Sequence, residues 1–158
     1  MIGEERTTPE LLREHNFLAG VSPGTLALLS ESARIVSFDP GAFLLREGED
    51  AGTIFLVTRG RVAIEIHAPS VGPIVIDTVE PGHVVGLSWM AAPFRWQFDA
   101  RALEHVEAAA IDARQLREDL AEHPEAAAEL HQRLAAVLLA RLQATRIRLL
   151  DLYANAGQ

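Results

Sequence analysis

The spacing of apolar residues changes twice along the 158-residue chain. From Thr8 to Ala33 it is helical: Leu11, Leu12, Phe17 and Leu18 form one group and Leu26, Leu28 and Leu29 another. Ser22-Pro23 introduces the second group, with a capping serine ahead of a proline at the first helical position. Residues 1–33 are therefore expected to hold two short helices. From Arg34 to Asp112 the apolar residues fall into runs and alternations of strand type, IVSF, AFLL, TIFLV, RVAIEIH, PIVIDTV and VEAAAI. Turn-forming residues separate them at short intervals: Asp39-Pro40-Gly41, Glu47-Gly48-Glu49, Arg59-Gly60-Arg61, Gly72-Pro73 and Pro81-Gly82. Many short strands joined by tight turns predict a mostly β fold with flanking helices, the strands forming an antiparallel β-roll of sandwich or jelly-roll type.

Residues 113–158 return to helical spacing. One helix is expected from Ala113 to about His123, where Pro124 marks a new start, and a second from there to the end. Along the second, Leu138, Leu142, Thr145, Leu149 and Leu152 recur at steps of four, three, four and three, the spacing of a helix that pairs with another helix. The same stripe could instead pack on the chain's own sheet. Length separates the two readings, because a helix of this extent overreaches a small roll. Its distal half, from about Ala140, must then meet a partner or leave several leucines in water. A homodimer through this helix is the expectation. Arg141, Arg146 and Arg148 flank the stripe, with Asp151 nearby, as a solvated face.

Composition narrows the classes. A chain of 17.2 kDa suits one domain with a core of its own, so no metal or disulfide staple is needed. The absence of cysteine excludes a disulfide framework, thiol catalysis and cysteine-ligated zinc, and fits a reducing compartment. The first residues, MIGEERTTPELLREHNF, are charged and lack the apolar run of a signal peptide, and no later segment stays apolar for the length of a bilayer crossing. A soluble, cytoplasmic protein with no membrane partner is expected. The net charge of -8 gives the chain no overall pull on nucleic acid.

The stretch FDPGAFLLREGEDAGTIFLVTRGRVAIEI, residues 38–66, resembles the front half of the cyclic nucleotide-binding domain, the β-roll of catabolite-activator-type regulators, kinase regulatory subunits and gated channels. Gly41, Gly48 and Gly60 stand where that family places turn glycines, and glycine reaches positive φ without steric cost. The resemblance implies a single domain: N-terminal helices over 1–33, the roll over 34–112, and C-terminal helices over 113–158, the last of them dimerising.

It also gives a meaning to Val84–Leu103, which carries both tryptophans of the chain. In the family this stretch is the phosphate-binding cassette, a short helical turn whose backbone N–H groups cradle the cyclic phosphate. A glutamate there takes the ribose 2′-hydroxyl and an arginine the phosphate. Gly86 matches the family's glycine and Pro93 its proline, but Leu87 stands at the glutamate position. Counting back from Asp99-Ala100-Arg101-Ala102, aligned with the closing strand, puts Trp96 at the arginine position and Arg95 one place earlier. Gln97 and Phe98 follow where small residues are usual. The candidate ligand-binding residues are thus Gly86, Leu87, Ser88, Trp89, Arg95, Trp96, Gln97 and Phe98. A charge-assisted hydrogen bond contributes about 1.5–3 kcal/mol, so losing two weakens cyclic nucleotide binding in the usual pose by a few orders of magnitude. Two readings stay open. The aromatics line a pocket for a planar or apolar ligand, with Arg95 or Gln97 orienting it, or they plug the pocket and staple the cassette to the roll.

Other chemistry finds little support. A cupin-type metal site needs a His-x-His pair, whereas His67, His83 and His105 stand apart. Ser88 lacks the second glycine of a nucleophile elbow, and Glu47 and Glu49 lie in a turn. No enzyme and no metal are expected. The sequence given stops at ANAGQ, without the helix-turn-helix of the DNA-binding relatives, so no operator binding is expected of it. The expectation is a stand-alone regulatory module responding to a cyclic nucleotide or another small ligand. A scaffold with a plugged pocket and an unidentified protein partner is the alternative.

Overall fold

Thr7 and Glu10 satisfy each other's backbone at the first helix: Glu10 N donates to Thr7 Oγ1 at 3.4 Å and Thr7 N donates to Glu10 Oε2 at 3.1 Å. This capping box, with Pro9 in the first turn, starts α1 (Thr8–Glu14) in the computed structural model, which describes residues 7–157. A 3-10 turn (Asn16–Leu18) and α2 (Pro23–Glu31) follow. Ser22 caps α2 as expected from the sequence, yet its hydroxyl donates to Thr25 Oγ1 at 3.1 Å and makes no cap bond to the backbone.

Eight strands then form two antiparallel sheets: β1 (Ala33–Phe38), β2 (Phe43–Leu45), β3 (Thr53–Arg59), β4 (Val62–Ala68), β5 (Gly72–Val79), β6 (Val84–Val85), β7 (Asp99–Ala102) and β8 (Val106–Asp112). One sheet runs β1-β8-β3-β6 and the other β2-β7-β4-β5, the mostly β roll with flanking helices that the turn spacing predicts. In β3 the consecutive residues Ile54, Phe55, Leu56 and Val57 are all buried, and in β8 so are Ala108, Ala109, Ala110 and Ile111. Because successive side chains point to opposite faces, such runs mean that both faces of these central strands are covered. Gly41, Gly48 and Gly60 all have positive φ, at +88°, +85° and +83°. At Gly60 a Cβ would also press into the backbone carbonyl of His105, so the β3–β4 turn passes too close to the loop leading into β8 for any side chain.

His15 docks the N-terminal segment. It is buried between α1 and the 3-10 turn, where its Nδ1 accepts the Phe17 N–H at 3.3 Å. That assigns the proton to Nε2, which donates to Val57 O on β3 at 2.9 Å. Burial is the main cause lowering the pKa of this imidazole; the hydrogen bond to Val57 opposes it and the nearby His83 reinforces it. With the folded pKa below the unfolded value of about 6.5, the unfolded chain takes up the proton first, so stability is full above that pH and drains as pH falls below it. Chemical denaturation at pH 7.5 and 5.5 should therefore show a loss of stability in the wild type that is smaller in His15→Gln. Equal losses in both proteins would remove His15 from the account.

Asp112 begins the next helix by accepting the Gln115 N–H at 3.0 Å, and α3 (Ala113–Glu122) buries Leu116 and Leu120. The chain divides between Glu122 and His123 into two compact units. The second is α4 (Pro124–Ala156), 33 residues and about 50 Å long, with proline in its first turn. No residue after Leu134 in this helix is buried. Leu138, Leu142, Leu149 and Leu152 are all exposed, as are Leu139, Leu150 and Tyr153.

Candidate functional site

The stretch leaving β6 turns sharply at Gly86, whose φ of +99° lies in the left-handed region. After Leu87 a 3-10 turn (Ser88–Met90) forms, and the chain crosses a cis Ala92-Pro93 bond before Phe94, which also has positive φ at 57°. Residues 94–96 then pair with the β2–β3 loop: Ala51 N donates to Phe94 O at 2.7 Å, Trp96 N to Glu49 O at 3.0 Å, and Gly48 N to Trp96 O at 2.9 Å. Gly48, read from the sequence as a turn signal, has a φ of +85° where it pairs with Trp96. The exit is anchored through Asp99, whose Oδ1 accepts the Glu47 N–H at 2.7 Å and lies 3.7 Å from Arg46 Nε. Next to it Arg101 Nε donates to the buried Glu65 on β4 at 2.9 Å.

The two tryptophans point into the protein. Trp89 is 1% exposed and Trp96 4%. A Cβ built on Gly86 would come within 2.8 Å of Trp96 Cη2, so the indole lies directly on that glycine. Arg95 turns the other way. It is half-exposed, its Nη1 donates to Gly48 O at 2.9 Å, and it sits 3.8 Å from Asp50. Gln97 is exposed and donates to Arg95 O at 3.1 Å, Phe98 is half-buried, and Leu87 and Ser88 are half-buried at the start of the turn. Of the eight candidate residues, Gly86 and Trp96 are thus brought into contact, while Arg95 and Gln97 face outward.

The comparisons decide the family of the chain. The profile described as cyclic nucleotide-binding domain matches residues 35–123, more than half of the chain. The chain belongs to the cyclic nucleotide-binding domain family. It is 27% identical over 143 residues to a CRP-like cAMP-activated global transcriptional regulator of Mycobacterium tuberculosis, an alignment covering 90% of this chain and 62% of that protein. The chain therefore spans less than two thirds of the length of that curated relative. Among solved structures it resembles a cyclic nucleotide-binding protein from Geobacter metallireducens, with a TM-score of 0.76 and 27% identity over 85% of this chain and 97% of the other. A cyclic nucleotide-binding domain from Methylobacillus flagellatus shares the fold at a TM-score of 0.79 and 21% identity, covering 90% of this chain and 83% of that one.

Two side chains outside the expected set, Arg117 and Phe94, meet at this stretch. Arg117 on α3 donates from Nη1 to Trp89 O at 2.9 Å, and its guanidinium lies 4.5 Å from the centre of the Phe94 ring. The only local sign of Arg117 is its place beside Leu116 on the buried side of α3; nothing in its own neighbourhood marks the loop it reaches, 28 residues earlier. The indole Nε1 of Trp89 is buried and has no hydrogen-bond partner among the described residues. Among those residues no cluster of three or more histidine, aspartate or glutamate side chains could hold a metal, and no helix is long and apolar enough to cross a membrane.

Proposed function

We propose that this chain is a regulatory module, not an enzyme, whose cassette is closed by its own aromatic side chains and takes no cyclic nucleotide in the usual pose of its family. The observation that carries this reading is the Trp96 indole lying on Gly86, at the position the resemblance reserves for the phosphate-binding arginine. Leu87 offers no carboxylate for a ribose hydroxyl, and the guanidinium of Arg95 is engaged on the far side by Gly48 O and Asp50. The turn keeps the shape of a nucleotide cassette and has exchanged its polar contacts for packing. The cAMP activation named for the mycobacterial relative is therefore not carried over to this chain; regulation through the fold is.

The second element of the proposal is a homodimer through distal α4. Supporting it is the row of exposed apolar side chains, with Leu138, Leu142, Leu149 and Leu152 at helix-pairing spacing around Thr145.

Thermal unfolding against cAMP, cGMP and cyclic dinucleotides tests the first element. A ligand that binds only the folded state stabilises it by RT ln(1 + [L]/Kd), about 2.7 kcal/mol at a hundredfold excess over Kd. No change in Tm up to millimolar nucleotide is the expected outcome. A Tm that climbs with the logarithm of cAMP concentration would overturn the closed cassette, and a rise with planar apolar compounds alone would reassign the aromatics to a ligand pocket.

A further inference from the structure

We infer that Arg117 is the positioning residue of the cassette, a tether within the chain that holds the aromatic turn on α3 with no bound molecule. The inference rests on the closed-cassette reading above and adds what keeps the cassette closed. One side chain grips both limbs of the turn, the carbonyl of Trp89 before the cis Ala92-Pro93 bond and the ring of Phe94 after it. A planar guanidinium suits this double task, since it donates in its own plane while its face stacks on an aromatic ring, which an ammonium group cannot do.

The turn needs an external hold. Phe94 has positive φ, an unfavourable conformation for a bulky side chain that persists only where the surroundings impose it. Its backbone is held by Ala91 O and Ala51 N, and its ring by Arg117. Trp89 keeps a buried indole N–H without a partner among the described residues, so local hydrogen bonding does not account for its depth. The tether itself is rigidly presented, because Leu116 and Leu120 on either side of Arg117 are buried and fix the rotation of α3. The cassette and α3 accordingly order together.

Both tryptophans of the chain lie in the cassette, so intrinsic fluorescence reports on it directly. The experiment compares the full wild-type chain with Arg117→Met, which keeps the length of the stem and loses donor and charge, and Arg117→Lys, which keeps a donor and loses the stacking plane. In Arg117→Met we expect a red-shifted tryptophan emission and amide exchange faster by about tenfold to a hundredfold across residues 89–96, with β3 and β8 unchanged. Arg117→Lys should fall between Met and wild type. Phe94→Leu, which removes the ring from the other side, should reproduce the local exchange pattern and provides an independent reading if Arg117→Met folds poorly. Wild-type emission and exchange in Arg117→Met or Phe94→Leu would overturn the inference. So would acceleration spread evenly over β3 and β8, the mark of a general stabilising contact. All readings are taken without ligand, so failure here is distinct from failure of the closed-cassette proposal, which appears as cyclic nucleotide binding by the wild type.

Discussion

Trp96→Ala is expected to lower the unfolding free energy by about 3–5 kcal/mol, the range for truncating a buried tryptophan, and to lower Tm by about 10 °C in a chain of this size. The ring is 4% exposed and rests on Gly86. Removing it leaves a void that the hydrogen-bonded segment 94–96 cannot close without giving up its pairing to Gly48, Glu49 and Ala51. The same contact can be probed from the opposite side. In Gly86→Ala the new Cβ meets the indole and the residue is strained at a φ of +99°, whereas in the Trp96→Ala background the indole clash is gone and only the backbone strain and a 3.3 Å approach to Thr53 O remain. The two substitutions should therefore be non-additive, with alanine at position 86 costing less in the double variant. Chemical denaturation of the four proteins measures this. A loss below about 1 kcal/mol for Trp96→Ala would mean that the ring contributes little to the folded state, and would return its space to a ligand.

Leu142→Glu combined with Leu149→Glu is expected to turn a dimer into a monomer. The two leucines are 46% and 51% exposed on α4, near the centre of the apolar stripe. An apolar seam between two copies would have to bury four carboxylates without partners, at several kcal/mol in total, which weakens association by more than a thousandfold. Light scattering coupled to size exclusion at micromolar concentration should report twice 17.2 kDa for the wild type and 17.2 kDa for the variant, with unchanged helical content. A monomeric wild type would remove the dimer from the proposed function and leave this stripe to another partner.

The sequence foretold much of the secondary structure, but unevenly. Six apolar runs predict β1 to β5 and β8, and all six are strands. β7 was placed only by aligning Asp99–Ala102 with the family's closing strand, and β6, two residues long, leaves no periodic trace at all. The boundary between α3 and α4 fell at Pro124 because proline lacks the N–H a continuing helix needs. In the N-terminal segment the sequence showed two helices but gave no sign that His15 is buried, since its partner Val57 lies 42 residues away.

The cassette divides in the same way. That Leu87 and Trp96 stand where the resemblance expects a carboxylate and a guanidinium was readable residue by residue, because the identity of a side chain limits what it can donate or accept wherever it points. Direction was not readable. Arg95 and Trp96 are neighbours, and a one-residue change of register in the loop would exchange which of them enters the protein. Only the pairing of residues 94–96 with the β2–β3 loop settles that Trp96 goes in and Arg95 out.

By itself, then, the sequence determined the order of the helices and of six of the eight strands, the glycine turns and the residue types available in the aromatic turn, all of which follow from local periodicity, backbone freedom and side-chain chemistry. The tertiary structure alone decided that Trp96 rests on Gly86, that Arg117 clasps Trp89 and Phe94, and that His15 reaches Val57. These contacts join residues 10 to 42 positions apart, and sheet register and loop closure, which no local pattern encodes, bring them together.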